Sequence, residues 1–128
     1  MYKLTTVLFI IIIHGCTDQY EPISFAMRNA SSKNCQVILH NIYGTKDSIS
    51  VNMAETLEMH KDFAPYSGPF ISFDSVTVIF EDQKRLTYYE IKGCDVEKSP
   101  FCNNTISYHC ENMFCVFEID ETEYLKAK

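Results

Sequence analysis

The stretch that decides the fold runs from Asp74 to Tyr89 and reads DSVTVIFEDQKRLTYY. Val76, Val78 and Phe80 recur at every second position, which places them on one face of a β-strand. A polar run at 81–84 follows, and the chain returns through 85–91. This order predicts a β-hairpin, although a glutamine stands at position 83, where such turns usually have glycine.

The same period of two continues on both sides of this hairpin. Further strands are predicted at 23–27, 35–41, 47–53, 57–61, 105–110 and 114–119, and residues 70–74 lead into the hairpin as extended chain. Segment 57–61 could instead extend a helical turn from Met53, because Met-Ala-Glu-Thr-Leu-Glu-Met suits a helix. Residues 120–128 suit a short terminal helix, with acids first and lysines last. Seven or eight short strands without interleaved helices predict an all-β fold over residues 23–128, an antiparallel β-sandwich of the immunoglobulin-like type.

Composition excludes several classes of function. A chain of 128 residues is long enough for one domain with its own core. It has 11 Lys and Arg against 17 Asp and Glu, for a net charge of −6. Nucleic acids and anionic membrane surfaces bind basic faces, so neither is expected as the main partner.

The N-terminus reads MYKLTTVLFIIIIHGC. Lys3 gives it a positive charge, and residues 4–13 form an apolar block. As a helix this block spans about 15 Å, half of the roughly 30 Å hydrocarbon core of a bilayer. A positive charge, then an apolar block, then the small residue Gly15 is the order typical of a signal peptide, which we predict at residues 1–15. A buried N-terminal strand is the alternative, because consecutive isoleucines favour β structure.

The end of this segment, Ile13-His14-Gly15-Cys16, resembles the lipobox of bacterial lipoproteins. The resemblance implies cleavage before Cys16 and lipidation of that residue, with residues 16–22 as lipidated cysteine and tether. Two or three acyl chains anchor a protein stably to a membrane. Ordinary cleavage near Gly15 is the competing hypothesis, and Ile13 disfavours it because such cleavage requires a small residue three places before the cut.

Two further segments carry a wider resemblance. The stretch 74–89, together with Phe-Glu-Ile-Asp-Glu-Thr-Glu-Tyr at 117–124, resembles a family of small lipoproteins of Bacteroides-type bacteria. That family combines a signal peptide, a lipobox and a β-rich domain, and its function is unknown. The resemblance implies a lipid-anchored protein of the cell envelope, at the outer membrane and facing the periplasm or the exterior. It transfers no catalytic or binding residue.

Five cysteines remain if Cys16 is lipidated. Export places them in an oxidising compartment, where disulfides form. Period two assigns Ile106, Tyr108 and Cys110 to one strand face, and Met113, Cys115, Phe117 and Ile119 to one face of the next strand. If these are the core faces of a hairpin, Cys110 meets Cys115 across its turn.

The preferred pairing is therefore Cys110 with Cys115, and Cys94 with Cys102 around the loop that contains Ser99-Pro100. Cys35 is then left as a small buried hydrophobic residue. The spacing alone leaves the other connectivities open.

A metal site from Cys102, His109, Cys110 and Cys115 is the alternative for the same region. It lacks the CxxC and HxxxH spacings, and neighbouring strand residues His109 and Cys110 point to opposite faces. We therefore expect no metal and no other cofactor.

No common catalytic motif is present. The acid pairs Glu55 with Glu58 and Glu121 with Glu123 are interpreted as solvated faces or a helix start, because glycosidase carboxylates are brought together by the fold. Tyr88 and Tyr89 face opposite ways on a strand, so one is expected in the core and the other on the surface.

Three hypotheses about function follow from these patterns. The first is a non-enzymatic binding or structural module, lipid-anchored in the cell envelope, with an unknown ligand and an envelope protein or glycan as a possible partner. The second is a secreted, disulfide-stapled soluble β domain, such as an inhibitor or ligand carrier, in which Cys16 is a sixth half-cystine. The third is an exported hydrolase with a composite active site.

Overall fold

The computed structural model of the chain describes residues 21–44, 46–63, 66–90, 94 and 97–128. The predicted signal peptide and Cys16 lie outside the described residues. The elements are β1 (Ile23–Asn29), β2 (Cys35–Asn41), β3 (Lys46–Val51), β4 (Thr56–Asp62), β5 (Phe73–Phe80), β6 (Arg85–Tyr89), β7 (Tyr108–Glu111), β8 (Phe114–Ile119) and α1 (Glu121–Lys126). The all-β prediction and the short terminal helix are confirmed.

The strands form two four-stranded sheets. The first sheet has the order β4-β1-β8-β7 and the second has the order β3-β2-β5-β6. Among the described residues, neighbouring strands within each sheet pair antiparallel, except for β1 and β8, which run parallel. The expectation of purely antiparallel pairing is wrong at this one position. Hairpin turns impose antiparallel direction only on strands adjacent in sequence, and β1 and β8 are the first and last strands.

The predicted hairpin is formed by β5 and β6, in a register that runs from Ser75 opposite Tyr89 to Ile79 opposite Arg85. The alternation of β5 has the expected effect, because Val76, Val78 and Phe80 are all buried in the core. Gln83 has a φ of 71°, the left-handed conformation that explains why glycine is usual at this position.

Side chains from both sheets form one hydrophobic cluster. The Tyr88 ring on β6 meets the Phe117 ring on β8 edge-on, with centroids 5.6 Å apart. This contact joins the second sheet to the first. The buried members are Phe25, Met27, Cys35, Val37, Leu39, Val51, Phe70, Val76, Val78, Phe80, Tyr88, Tyr108, Cys115, Phe117, Ile119 and Ala127.

Several predicted strand residues lie in turns instead. Met53 is exposed beyond the end of β3. Residues 57–61, by contrast, do belong to a strand, β4, and the alternative of a helical turn is wrong. Ile106 is exposed in a turn, because the Asn104 side chain accepts hydrogen bonds from the backbone N–H groups of Ile106 and Ser107. A side chain that binds nearby backbone in this way competes with strand pairing, so β7 begins only at residue 108.

The ends of the two sheets are tied together at two places. At the capped end, defined by the C-terminal ends of β1, β3, β5 and β8, the Asn29 side chain donates a 3.1 Å hydrogen bond to the carbonyl of Val51 in the other sheet. At the opposite end, Asp62 closes β4 and its carboxylate accepts a 2.7 Å hydrogen bond from the backbone of Gly68. Phe70, two residues later, is buried and its carbonyl accepts from the backbone of Phe73, which begins β5.

We call this second end the tether end, because the described chain enters there. Tyr66 donates a 2.8 Å hydrogen bond to the carbonyl of Glu21. Ser24 donates a 2.8 Å backbone hydrogen bond to Met113. The tether end also contains the start of β8 and the ends of β2, β6 and β7.

Candidate functional site

Four of the five cysteines other than Cys16 are joined as disulfides, Cys94 with Cys102 and Cys110 with Cys115. These are the pairs preferred from the sequence. Cys110 and Cys115 occupy opposite positions of the β7–β8 hairpin. Both side chains lie on the same face of the sheet, with Cys115 buried and Cys110 exposed near the end of β7. The expectation that Ile106 and Met113 lie on core faces is wrong, because both residues are exposed in turns.

The disulfide between Cys94 and Cys102 closes a loop that packs on the domain. Cys102 is fully buried, and the Asn104 side chain donates a hydrogen bond to the carbonyl of Cys94. The neighbouring Phe101 ring meets the buried Phe70 ring edge-on at 6.2 Å between centroids. This loop is thus held by packing as well as by its covalent bond.

Cys35 is a free, buried thiol at the start of β2. Its Sγ lies 3.7 Å from the carbonyl oxygen of Val51. Burial raises the pKa of Cys35 to about 11, so it stays a protonated thiol at neutral pH. The thiolate is the reactive form, and this cysteine is therefore not a nucleophile under those conditions.

A cleft of about 410 Å³ lies between β6, α1 and the segment that begins at Glu97. It is the place where ionisable side chains converge among the described residues. Its walls are Leu86, Thr87, Tyr88, Glu97, Lys98, Glu123 and Lys126. A cleft with converging polar groups is the usual first candidate for a binding or catalytic site, so its chemistry has to be examined group by group.

The centre of the cleft wall is Glu123, which is only 1% exposed. The Tyr88 hydroxyl donates a hydrogen bond to its Oε2, and the Lys126 ammonium lies 2.9 Å from its Oε1. Burial, and then the Glu123 carboxylate, raise the pKa of Tyr88, so its hydroxyl keeps the proton that it donates. Both oxygens of the carboxylate are therefore satisfied within the protein.

The second charged pair of the cleft is Lys98 with Asp120. The Lys98 ammonium lies 3.0 Å from Asp120 Oδ2 and 5.2 Å from the centroid of the Phe117 ring. Asp120 also caps α1, because its side chain accepts from the backbone N–H of Glu123. Partial burial acts to raise the pKa of Asp120, but the hydrogen bonds from Lys98 and from the Glu123 backbone outweigh it and lower that pKa.

These contacts hold α1 across the open edge between the sheets. The helix follows β8 of the first sheet, and beyond it Lys128 and Arg85 exchange two backbone hydrogen bonds of 2.8 and 3.0 Å at the start of β6. The Tyr124 ring packs edge-on against Phe80, with centroids 5.1 Å apart. We call Tyr88, Glu123 and Lys126 the helix latch, because they join α1 to the second sheet.

Sequence reasoning missed Glu123. Glu121 and Glu123 do form the helix start, one of the two interpretations given for this pair. The other interpretation, a solvated face, is wrong for Glu123, which is buried. The Asp120-x-x-Glu123 spacing is typical of a capping box, in which the glutamate turns back to the helix start. Here Asp120 caps the helix while the Glu123 carboxylate turns to Tyr88. Residues 88 and 123 are distant in sequence, and no local pattern relates them.

The other candidate residues are not brought together. His109 is exposed and pairs with Glu111 at 3.2 Å on the same strand. Within the described part of the chain, no three His, Cys, Asp or Glu side chains come close enough to bind a metal ion. Nor does that part contain a helix with the length and apolar character needed to cross a bilayer.

Comparisons with protein-family models, with curated proteins and with solved structures found no match. The resemblance to small lipoproteins therefore stays a prediction from residues 13–16, 74–89 and 117–124. In the cleft wall and beside it, the carboxylates of Glu123 and Asp120 are each bound to a partner in the chain.

Proposed function

We propose that the protein is a lipid-anchored module of the cell envelope, with a binding or structural role and no catalytic activity. Its domain is a β-sandwich of the immunoglobulin-like type, attached through Cys16 after removal of residues 1–15. The tie between Asn29 and Val51 and the link from Asp62 to Phe73 support the sandwich, because they hold the two sheets together at both ends.

The position of Cys35 is the main observation in favour of a lipid anchor on Cys16. In the secreted alternative Cys16 is a half-cystine, and Cys35 is the only described cysteine free to pair with it. Cys35 lies at the capped end, whereas the described chain enters at the tether end. The seven residues of β1 separate the two ends. At about 3.3 Å per residue, β1 alone spans roughly 20 Å.

A chain of five residues from Glu21 back to Cys16 reaches at most about 18 Å. The Cys35 side chain is only 6% exposed and faces the core, so it offers no surface at which Cys16 could pair with it. A Cys16 without a disulfide partner favours lipidation. The satisfied charges of the helix latch favour the non-enzymatic reading over the exported hydrolase. The two disulfides favour a compartment outside the cytoplasm.

The intact mass of the mature protein from the membrane fraction of its native host tests this proposal. We expect the mass of residues 16–128 plus two or three acyl chains. The matched control is Cys16→Ala, which should lose the added mass and leave the membrane fraction. A wild-type mass without acyl chains would refute the anchor, and the secreted domain would then be the better hypothesis.

A further inference from the structure

Large apolar side chains are distributed unevenly over the surface of the described residues. Eleven of them are exposed, and eight of these lie at the tether end. The other three lie toward the capped end, with Met53 in the turn after β3, Ile106 in the turn before β7 and Leu125 on α1. The eight at the tether end are Ile42, Tyr43, Phe63, Tyr66, Ile71, Tyr89, Met113 and Phe114.

Contacts at the strand ends bring these eight residues to one end. In the second sheet, Ile42 donates a 3.2 Å backbone hydrogen bond to Ser72, beside Ile71, and Tyr89 closes β6 opposite Ser75. In the first sheet, Phe63 follows the last residue of β4, and Phe114 pairs with Ser24 near the chain entry. Single exposed apolar residues are ordinary, whereas their concentration at one end of a domain indicates an interaction surface.

The chain outside the described residues indicates what covers this surface. Cys16 lies five residues before Glu21, which Tyr66 binds at the tether end. Five residues reach at most about 18 Å, so a lipid on Cys16 holds this end, and not the capped end, next to the bilayer. This step rests on the proposed lipidation.

The charge and chemistry of the surface suit the bilayer interface. Exposed charges at its strand termini have both signs, and the acids Glu21, Asp74, Glu90 and Glu111 outnumber Lys46 and Lys61. Electrostatic attraction to anionic lipid therefore contributes little. Aromatic residues dominate the apolar set, and tyrosine favours the headgroup level of a bilayer because it has an apolar ring and a polar tip.

We propose that the tether end rests on the membrane, with the eight apolar side chains inserted at the level of the lipid headgroups. The acyl chains of Cys16 and this surface then act as two membrane contacts in one molecule. The domain stands with its capped end away from the bilayer, and any partner is met there or on the outer sheet faces.

The experiment uses the full chain, which contains no tryptophan, so that a single introduced tryptophan is the only one. Tyr43→Trp reports on the tether end, and Leu125→Trp is the matched control, since the two side chains are 84% and 73% exposed. Each lipidated variant is reconstituted in phosphatidylcholine vesicles whose acyl chains carry bromine near the headgroup, a short-range quencher of tryptophan fluorescence. Intact mass of the same samples reports lipidation.

The expected result is a blue-shifted emission for Tyr43→Trp that loses most of its intensity in brominated vesicles. Leu125→Trp should show neither change, and added salt should not reverse the quenching. Unquenched Tyr43→Trp in a sample with the lipidated mass would overturn the inference and leave the anchor intact. A blue shift without quenching would also overturn it, since the surface would then be covered by protein. A mass without acyl chains would refute the anchor, and the inference with it.

Discussion

The capped end and the tether end of this domain differ in how their turns and loops are stabilised. At the capped end the turns are closed by the chain's own polar groups, with the fully buried Asn29 at their centre. Its side chain donates to the carbonyls of Lys33 and Val51 and accepts from Ser31. At the tether end the loops leave apolar side chains exposed. The difference agrees with our proposal that the tether end is covered by the membrane, whereas the capped end is closed by the chain itself.

The largest effect is expected from Asn29→Ala at the capped end. The substitution leaves buried carbonyl groups without donors, and each unsatisfied buried group costs about 1–3 kcal/mol. We expect the free energy of unfolding to fall by at least about 2 kcal/mol on that basis, measured by urea denaturation. The control is Asn41→Ala at the tether end, where the side chain accepts one exposed hydrogen bond from Tyr43.

That control should change stability by no more than about 0.5 kcal/mol, as is usual at exposed positions. Equal losses for the two asparagine variants would remove the distinction between the ends. A loss only at Asn41 would reverse it.

The helix latch should show a smaller effect. Tyr88→Phe removes the hydroxyl that donates to the buried Glu123 carboxylate. Leaving that acceptor short of one donor should lower the free energy of unfolding by about 1–3 kcal/mol. The adjacent Tyr89→Phe is the control, because Tyr89 is exposed at the tether end and should change stability little. If both variants unfold at the wild-type urea concentration, α1 is not held by this contact.

The smallest effect concerns Cys35 and the alkaline limit of stability. Burial raises the pKa of the folded Cys35 thiol from its ordinary value of 9.0 to about 11, so the folded state holds the thiol proton more tightly than the unfolded chain. Its contribution is therefore fully present below about pH 9 and is lost as the pH rises through about 11. Cys35→Ala should fall less steeply in stability over this range than the wild type. Buried Tyr88 and Tyr108 are common to both proteins and cancel in the comparison.

The same residue gives a direct thiol count. In the lipidated protein, the native state should not react with a thiol reagent at pH 8, and the denatured, unreduced chain should expose one thiol. Two thiols would mean that Cys16 carries no lipid on sulfur, and three would mean that one disulfide is open.

Local patterns predicted much of this fold. The alternation of Val76, Val78 and Phe80 identified a core-facing strand, because successive side chains of a strand point to opposite faces and a half-buried strand therefore alternates apolar and polar residues. The bounds of β2 were predicted in full, and the acids and lysines of 120–128 identified α1. Met53 and Ile106 were misplaced because neighbouring turns, and not the apolar character of these residues, set the strand ends.

The sequence by itself determined an all-β domain, its hairpin and terminal helix, and the signal-like order of residues 1–16. These depend on residues within a few positions of one another, whose periodicity and turn preferences act locally. Tertiary structure alone decided the parallel pairing of β1 with β8, the burial of Glu123 against Tyr88, and the gathering of apolar side chains at the tether end. Each of these joins segments far apart in the chain, and such contacts form only when the two sheets pack around a common core.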